Sequence, residues 1–486
     1  MYVGQCASSS LTDQLAQRFA QRITEGWLAP GSRLPSVRQC AQQQGVSPST
    51  VVAAYDRLLA QGLVEAQKNR GFFVRNRALA QTATSLAATE SVANNNPGHA
   101  GKTSFEAQHV PVNATALIRG MFHGSSEQPQ PGMGAFPPDW LQTSFLAAAV
   151  RHVTSGKQLQ AFSLHYGEPA GDAGLRQSLA RKLATLAVRA TPQQIITSAG
   201  ATHALDIISR TLLRAGDCVM VEEPGWAVEF ARLDALGMRI LPVPRGPDGP
   251  DLAVMAHYAQ VHSPKLFVSV SVFHNPTGYC LSPGSAHQVL QLANRHNFYV
   301  VEDDTYSHIA PEHATRLCAL DGLQRTIYVS GFAKILAPGW RVGFLAAPSA
   351  LVERLLDTKL LTSLTTPALL EKAVAWCIDQ GQLRRHAQQV RQRLDQARSR
   401  SVALALAAGC RFAAPPAGLF GWVDTGVDTD SLAQRMLDVG YLLAPGALFH
   451  ASRAPSTLMR INFCTTQEAA FWQAFAQARG DAGLSH

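Results

Sequence analysis

Short apolar runs alternate with helix-like stretches over residues 195–331, and this alternation constrains the fold more than any other feature of the sequence. The runs QQIIT, DCVMVEE, KLFVSVSV, FYVVEDD and TIYVSGF are rich in β-branched and aromatic residues, and stretches such as ATHALDIISRTLL and HQVLQLANRH separate them. Strands separated by helices predict βαβ units and a mostly parallel sheet. The helical stretch LVERLLDTKLL then leads into a smaller region, for which we predict an α+β fold.

Polar residues follow the ends of several predicted strands. Asn275 follows KLFVSVSVF, Asp303 closes FYVVED, and Lys334 follows TIYVSGF. The turn SAGATHAL, after QQIIT, opens a helix whose free N–H groups favour a phosphate. Ligands of open α/β sheets gather at the carboxyl ends of strands, so these residues are expected to form one site.

This set of residues matches the chemistry of pyridoxal phosphate. A lysine would hold its aldehyde as an imine, and a carboxylate would keep its ring nitrogen protonated. Donors to the phenolic oxygen, an anion cradle, an arginine fork and a stacking ring complete the requirements. Each signal is common alone, and their order and their position at strand ends make the prediction. The candidate cofactor residues are Gly200, Ala201, Thr202, Trp226, Asn275, Asp303, Tyr306, Lys334 and Arg341.

The first 77 residues form a separate, helix-patterned zone. Leu11, Leu15, Phe19 and Ile23 recur every fourth residue and predict one apolar helix face. A second helix, VRQCAQQQ, is expected to stop at Gly45, and Ser47-Pro48 is expected to open a third. Its buried side would carry Val51, Ala54, Tyr55, Leu58 and Leu59. GLVEAQKNRGFFV then predicts two short strands around a basic turn. These elements together predict an α+β winged helix-turn-helix.

Charge is concentrated in the same zone. Nine basic and four acidic residues give residues 1–80 a net charge of +5, against +8 for the chain. In such a domain the second helix of the turn enters the major groove of double-stranded DNA, and basic side chains neutralise phosphates. A basic helical domain that binds protein is the alternative. The candidate DNA contacts are Arg33, Ser36, Arg38, Ser47, Ser49, Thr50, Lys68 and Arg70.

Residues 78–131 are rich in small and polar residues and are predicted to be a linker, and residues 132–486 the third zone. Alternatively, the second half of the linker, HVPVNATALIRGMF, packs as an extra strand or helix. The eight cysteines show no metal spacing, and we expect no metal site. Scattered cysteines, no signal peptide and no long apolar run favour a reduced, cytoplasmic protein without a membrane span.

Two family resemblances follow from these motifs. LPSVR, GVSPSTV, AYDRL and GFFV stand at the spacing of the GntR-type winged helix, which residues 11–75 resemble. Pro48 departs from the arginine often found there, which leaves one DNA contact of the family without its usual side chain. Residues 132–486 resemble fold-type I aminotransferases, with a large part at about 166–365 and a small part at about 366–486. The whole chain is therefore similar to MocR-type regulators.

The resemblance implies further roles. Tyr166, in SLHYGEPAG, is similar to a tyrosine that reaches the phosphate of a neighbouring subunit, and a head-to-tail homodimer is implied. Arg460, in LMRINFC, resembles an arginine that grips a carboxylate, with a surface ion pair as the alternative. The family's lysine loop usually has two hydroxyls where Gly331 and Ala333 stand, and Ser330 is the candidate substitute.

The leading hypothesis is a pyridoxal-phosphate-dependent transcription regulator. An amine, amino-acid or B6 effector would displace Lys334 by aldimine exchange, and Arg460 would hold its carboxylate. The second hypothesis is an active aminotransferase whose DNA-binding domain is accessory. The third is a DNA-binding protein whose second domain has lost the cofactor.

Overall fold

The computed structural model describes residues 10–24, 28, 31–67, 70–75, 130–155 and 158–480. The chain divides into two compact units, residues 1–124 and residues 125–486. Most of the predicted linker, including HVPVNATALIRGMF, lies outside the described residues, as does Lys68. In the described part of the chain, no helix is long and apolar enough to cross a bilayer.

The first unit is the predicted winged helix. Its helices are α1 (Leu11–Thr24), α2 (Val37–Gln44) and α3 (Pro48–Ala60), and its wing is an antiparallel pair, β1 (Val64–Gln67) and β2 (Gly71–Val74). Gly45 ends α2 in the left-handed conformation, and the Ser47 hydroxyl accepts the Thr50 backbone N–H at 3.1 Å. Both helix boundaries agree with the predictions from local capping chemistry.

The core of this unit is built on the predicted helix faces, with one correction. Phe19 and Tyr55 pack edge to face with ring centroids 5.6 Å apart, and the Tyr55 hydroxyl donates to Pro35 O at 2.9 Å. Leu11, expected on the apolar face of α1, is 62% exposed. It is the first residue of α1, and no neighbouring element of the described unit covers it.

The second unit contains the rest of the described elements. Its helices are α4 (Pro138–Leu141), α5 (Ser144–Thr154), α6 (Gln158–Ser163), α7 (Ala173–Thr185), α8 (Ala201–Leu212), α9 (Ala227–Ala235), α10 (Leu252–His262), α11 (Pro283–His296), α12 (Leu317–Asp321), α13 (Ser349–Ser363), α14 (Ala368–Asp379), α15 (Gln382–Ala407), α16 (Thr429–Asp438) and α17 (Ala469–Gly480). Its strands are β3 (Ile195–Ser198), β4 (Cys218–Glu223), β5 (Arg239–Pro244), β6 (Leu266–Ser269), β7 (Tyr299–Asp303), β8 (Thr326–Gly331), β9 (Gly343–Ala346), β10 (Arg411–Phe412), β11 (Phe420–Asp424), β12 (Ala444–Pro445) and β13 (Leu458–Asn462).

Strands β3 to β9 form one large sheet in the order β3-β9-β8-β7-β6-β4-β5. Strands β4 to β8 pair in parallel, as predicted, whereas β9 pairs antiparallel with both β3 and β8. Apolar clusters cover both faces, which explains why these strands read as continuous apolar runs.

Strands β5 and β9 were not predicted from the sequence. Strand β5 contains Pro242 and Pro244, which argue against a strand but are tolerated because β5 is the edge of the sheet. Strand β9 is only four residues long and begins at a glycine.

A second, antiparallel sheet has the order β10-β11-β13-β12. Residues 130–135 pack against it: the Gly132 N–H donates to Leu442 O at 2.7 Å, and the Asn462 N–H donates to Pro131 O at 3.2 Å. The Leu442 N–H also donates to the Gln130 side chain at 2.8 Å. Gln130 and Pro131, which the sequence analysis placed in the linker, therefore belong to the packed second unit.

Candidate functional site

The predicted site residues follow the carboxyl ends of the strands. They therefore lie along one edge of the large sheet, the edge at which its parallel strands terminate. Asp303 is the last residue of β7, Lys334 lies three residues after β8, and Gly200 lies two residues after β3. Strand β6 ends six residues before Asn275. The parallel strands therefore bring residues that are far apart in sequence to the same edge.

The amine of Lys334 is buried at this end of the sheet. Its Nζ donates to the carbonyl oxygen of Gly134 at 2.6 Å. Burial and the positive charge of Arg460 lower the pKa of Lys334 to about 8, and Asp303 opposes the shift. A lysine with this pKa is partly neutral near pH 8, which a nucleophilic amine requires.

The carboxyl group of Asp303 is buried and would be stabilised in its charged form by a nearby cation. Its Oδ1 accepts the backbone N–H of Thr305 at 3.0 Å and also the Thr305 hydroxyl. Burial raises the pKa of Asp303 to about 6, against the effect of the Thr305 hydrogen bonds. Trp226 and Asp303 line one cavity, together with Glu229 and His274. A protonated ring nitrogen beside Asp303 would restore its charge, as a nearby cation favours an ionised carboxylate.

The turn after β3 forms an anion cradle. Gly200 has φ +91° and precedes the first turn of α8, whose N–H groups have no partners within the helix. A Cβ at Gly200 would overlap the guanidinium of Arg341, and side chains rarely adopt this φ, so both features favour glycine there. Arg341 Nη2 donates to Ala199 O at 2.8 Å, which fixes the guanidinium at the turn. Ala201 lies in the same turn, and Thr202 is exposed beside it.

Arg460 is a buried cation, which excludes the surface ion pair considered for it. Its guanidinium is 4.4 Å from the Phe420 ring centroid and 5.1 Å from that of Phe449. Nη1 donates to Asn275 Oδ1 at 2.9 Å and Nη2 to Gly132 O at 2.6 Å. Within the described residues, no carboxylate pairs with it, and its Nε has no hydrogen-bond partner. Burial lowers its pKa to about 10.

Asn275 and Tyr306 complete the buried part of the site. Asn275 accepts from Arg460 through its oxygen, so its amide NH₂ remains the donor that the prediction requires. Tyr306 is buried and packs edge to face on Phe420 with centroids 5.6 Å apart. Burial raises the pKa of Tyr306, which keeps its hydroxyl protonated as a donor.

The prediction that Ser330 supplies a hydroxyl to the phosphate was wrong. The Ser330 hydroxyl donates to the backbone oxygen of Asp304 at 2.9 Å and is buried there, so it does not replace the hydroxyls absent at Gly331 and Ala333. Successive side chains of a strand alternate between its faces, and Gly331, not Ser330, borders the Ala201 N–H in the cradle.

Tyr166 is not packed among the other candidates. Its side chain is 86% exposed, and no hydrogen bond or ring contact of the described residues joins it to them. Its contact with a phosphate stays a prediction.

Several contact residues escaped the sequence analysis. Gly132 and Gly134 supply carbonyl oxygens to Arg460 and Lys334, and Phe420 and Phe449 enclose the guanidinium. Backbone carbonyls and core phenylalanines leave no motif. His203 was also not predicted, although its place in the turn expected to bind phosphate was a weak signal in the sequence. It lies in the first turn of α8, where its Nδ1 accepts the Ala199 N–H at 3.0 Å.

The candidate DNA contacts lie mainly at helix starts and on the wing. The Ser36 hydroxyl accepts the Gln39 N–H at 3.3 Å and caps α2, on which Arg38 is exposed. Ser47 Oγ lies 2.7 Å from Ser49 Oγ and 2.8 Å from Thr50 Oγ1.

On the wing, the Arg70 guanidinium stacks 5.6 Å from the Phe73 ring centroid. The Arg33 side chain lies beside Gly71, at the start of β2. Cationic side chains and small hydroxyls are thus presented together by this unit, as phosphate and base contacts require.

The residues of the second unit fit pyridoxal phosphate as a donor set. A buried amine, a buried carboxyl, a glycine turn closed by an arginine, and amide and phenol donors occupy one sheet edge. Each corresponds to one group of the cofactor.

Comparison with known proteins agrees with this fit. Residues 144–472 match the family model for aminotransferase class I and II, and residues 11–74 match that for bacterial regulatory proteins of the gntR family. The uncharacterized HTH-type transcriptional regulator YisV of Bacillus subtilis is 27% identical over 80% of this chain and 78% of its own length. The probable rhizopine catabolism regulatory protein MocR of Rhizobium meliloti is 29% identical over 78% of this chain and 73% of its own length.

Solved structures share the fold of the second unit. LysN, an alpha-aminoadipate aminotransferase from Thermus thermophilus complexed with N-(5'-phosphopyridoxyl)-L-leucine, has a TM-score of 0.68 at 24% identity. The match covers 75% of this chain and 95% of that one. Pyridoxal 5'-phosphate is the cofactor of this fold. The chain therefore belongs to the aminotransferase class I and II family and carries an N-terminal domain of the bacterial gntR regulatory family, the combination of a MocR-type regulator.

Proposed function

We propose that this DNA-binding regulator senses a primary amine that carries a carboxylate, such as an amino acid, at the edge of its large sheet. The main support is that Lys334 and Arg460 donate hydrogen bonds to backbone carbonyls of the same short segment, those of Gly134 and Gly132 respectively. Arg460 also has a buried Nε without a partner among the described residues and no ion pair there. A site with an amine position and an uncompensated buried cation suits such an effector.

Pyridoxal phosphate, when bound, supplies an aldehyde that links covalently to a primary amine and a ring that withdraws electrons. Lys334 would hold that aldehyde when no effector is present. Asp303 would keep the ring nitrogen protonated, and Asn275 and Tyr306 would donate to the phenolic oxygen. The phosphate would be held by Gly200, Ala201, Thr202 and the guanidinium of Arg341, and Trp226 would stack on the ring.

An effector amine would release Lys334 as a free amine. Its carboxylate would bind Arg460 and compete with the Gly132 carbonyl for the guanidinium. Both events change the bonds of residues 130–135, which pack on the small sheet and directly follow the segment from the DNA-binding unit. The DNA-binding equilibrium responds only if the effector binds the two arrangements unequally.

We further propose a homodimer that acts in the cytoplasm, where a regulator meets DNA. Tyr166 is 86% exposed, and Leu164 and Leu361 are also largely exposed. Leu164 and Tyr166 lie two residues apart in the chain, and a patch of exposed apolar side chains marks an interaction surface. A second copy would cover them and bring its own Tyr166 to the phosphate cradle. Sedimentation equilibrium of the holoprotein tests this, and a monomer at micromolar concentration would contradict it.

The test of regulation is a gel shift of the region upstream of the protein's own gene. Wild-type holoprotein and Lys334→Ala are compared with and without amino acids, other amines and B6 vitamers. We expect an effector to change the affinity of the wild type and to leave that of Lys334→Ala unchanged. Identical responses of the two proteins under every condition would remove the cofactor from the mechanism.

An active aminotransferase is the second candidate, because the site retains every group that a half-reaction needs, including a lysine whose pKa is about 8. Mixing holoprotein with an amino acid and a 2-oxo acid distinguishes the two functions. Turnover of roughly 1 s⁻¹ or faster would favour the enzyme, and slow or half turnover would favour the regulator.

A further inference from the structure

We infer that the exposed face of helix α15, on the aminotransferase unit, is a second contact surface for the backbone of double-stranded DNA. This inference rests on the proposed DNA-binding function and extends it to the unit that carries the cofactor. The surface is the solvent side of the helix over residues 384–400.

Positive charge in the second unit is concentrated on helix α15. Helix α15 has six arginines and one aspartate in 26 residues, a net charge of +5. Residues 1–80 also carry +5, so the remaining 380 residues together carry −2. The aminotransferase unit is therefore not basic in general. Its positive charge is concentrated on one helix, to the same extent as in the domain that binds DNA.

Part of this positive charge is not engaged in ion pairs. Arg384, Arg385 and Arg400 are exposed, and none of them forms an ion pair with a carboxylate of the described residues. The helix's single acid, Asp395, is neutralised by Arg398 at 2.5 Å. Unpaired exposed arginines attract an anionic partner without first having to break an internal ion pair.

Uncharged hydrogen-bond donors lie between the arginines of this helix. Gln388, Gln392 and Gln396 are exposed on the same side of the helix, and their amides donate hydrogen bonds without adding charge. The opposite side, including Val390 and Leu394, is buried in the unit. Arginine and glutamine side chains spread over one exposed face can donate hydrogen bonds to phosphate oxygens.

The basic surface is also extended. Residues 384–400 run for about 24 Å along the helix, roughly two thirds of one turn of B-DNA at about 34–36 Å. The surface is therefore long enough to contact several phosphates of one duplex, which a small anion would not need. A duplex bound by the winged helix is tethered to the second unit through the chain, which raises the local concentration of DNA at this surface.

The experiment uses full-length holoprotein and a random-sequence duplex of about 40 base pairs, roughly four helical turns. Affinity is measured by fluorescence anisotropy from low to high monovalent salt. The test variant is Arg384→Gln/Arg385→Gln/Arg400→Gln. The matched control is Arg189→Gln/Arg239→Gln/Lys265→Gln, which removes the same charge from exposed positions elsewhere on the unit. Cofactor absorbance verifies that both variants are folded.

We expect the test variant to lower the slope of log affinity against log salt by roughly 2 to 3, since each lost phosphate contact contributes about 0.9. Its affinity at about 0.1 M salt should fall by roughly two orders of magnitude. The control should keep the wild-type slope. Equal slopes for test variant and control would overturn the inference, whether α15 is only solvated or binds an acidic protein. Failure of the wild type to bind any duplex would instead contradict the proposed function.

Discussion

The guanidinium of Arg460 donates to the side-chain oxygen of Asn275 at 2.9 Å. This hydrogen bond joins the predicted cofactor contact to the predicted carboxylate contact, two residues that are far apart in the sequence. Asn275 follows β6 of the large sheet, whereas Arg460 lies on β13 of the small one. The bond fixes the Asn275 amide, with its oxygen toward Arg460 and its NH₂ free to donate. The predicted contact to the cofactor and the predicted contact to the effector carboxylate are therefore physically coupled.

A double-mutant cycle tests that coupling. Asn275→Ala and Arg460→Ala each break the same hydrogen bond, so their effects on cofactor Kd should not add. We expect a coupling energy of about 0.5–3 kcal/mol. Asn275→Ala combined with Arg189→Ala is the control, because Arg189 is an exposed residue outside the site. That pair should add to within about 0.5 kcal/mol. Additivity in both cycles would mean that the bond has no energetic role.

Glycine at position 200 should be required for cofactor affinity. Gly200→Ala places a Cβ against Arg341 at a φ of +91°, a conformation that costs an alanine about 1–3 kcal/mol. Cofactor Kd, measured by fluorescence quenching, should rise about tenfold or more. Gly284→Ala is the control, because Gly284 lies in the first turn of α11 with no atom near its Cβ position. Equal Kd values for both variants would contradict the anion cradle.

The pH dependence of cofactor capture should report Lys334. Only a neutral amine attacks an aldehyde, so the capture rate should rise with pH and level off above its pKa. Burial sets that pKa at about 8, below the ordinary 10.5, so half of the maximal rate is expected near pH 8. Stopped-flow absorbance after mixing apoprotein with pyridoxal phosphate measures the profile. A rate that keeps rising to about pH 10 would indicate an ordinary exposed lysine.

Covalent labelling should identify the same residue. Borohydride reduction of the coloured holoprotein should leave the cofactor on the peptide that contains Lys334, and Lys334→Ala should take up no label there. Peptide mass mapping measures the site, and Lys265→Ala, at an exposed lysine, is the control that should label normally. Label on a different lysine would refute the assignment of the cofactor site.

In the DNA-binding unit, Arg38 and Ser49 should have separable effects. Arg38→Gln removes an exposed cation from α2 and should weaken binding to all duplexes alike, lowering the salt slope by about 0.9. Ser49→Ala removes an uncharged hydroxyl from the first turn of α3, so the slope should stay constant while sequence preference changes. Anisotropy titrations against a duplex panel measure both. A sequence-selective effect of Arg38→Gln would contradict its assignment as a phosphate contact.

The sequence alone was sufficient for local features and for their order. The stop of α2 at Gly45 and the start of α3 at Ser47 depend on capping chemistry within a few residues, and both were predicted. The apolar runs and the polar residues at their ends likewise predicted the parallel strands and the edge that holds Asp303 and Lys334. The prediction from helical periodicity was wrong at Leu11. This residue fits the periodic pattern, but no neighbour in the described unit covers its side chain.

Features that depend on contacts between distant segments came only from the tertiary structure. The carbonyls of Gly132 and Gly134 lie against Arg460 and Lys334, from which they are separated by 328 and 200 residues, and a backbone oxygen has no sequence signature. Burial of Arg460 between two phenylalanines, which excludes a surface ion pair, requires the small sheet to be folded. Ser330 carries the right functional group, but the register of β8 turns its hydroxyl toward Asp304. Sequence determines which groups are available and in what order, whereas long-range packing determines which of them meet and how far their charges are shielded from water.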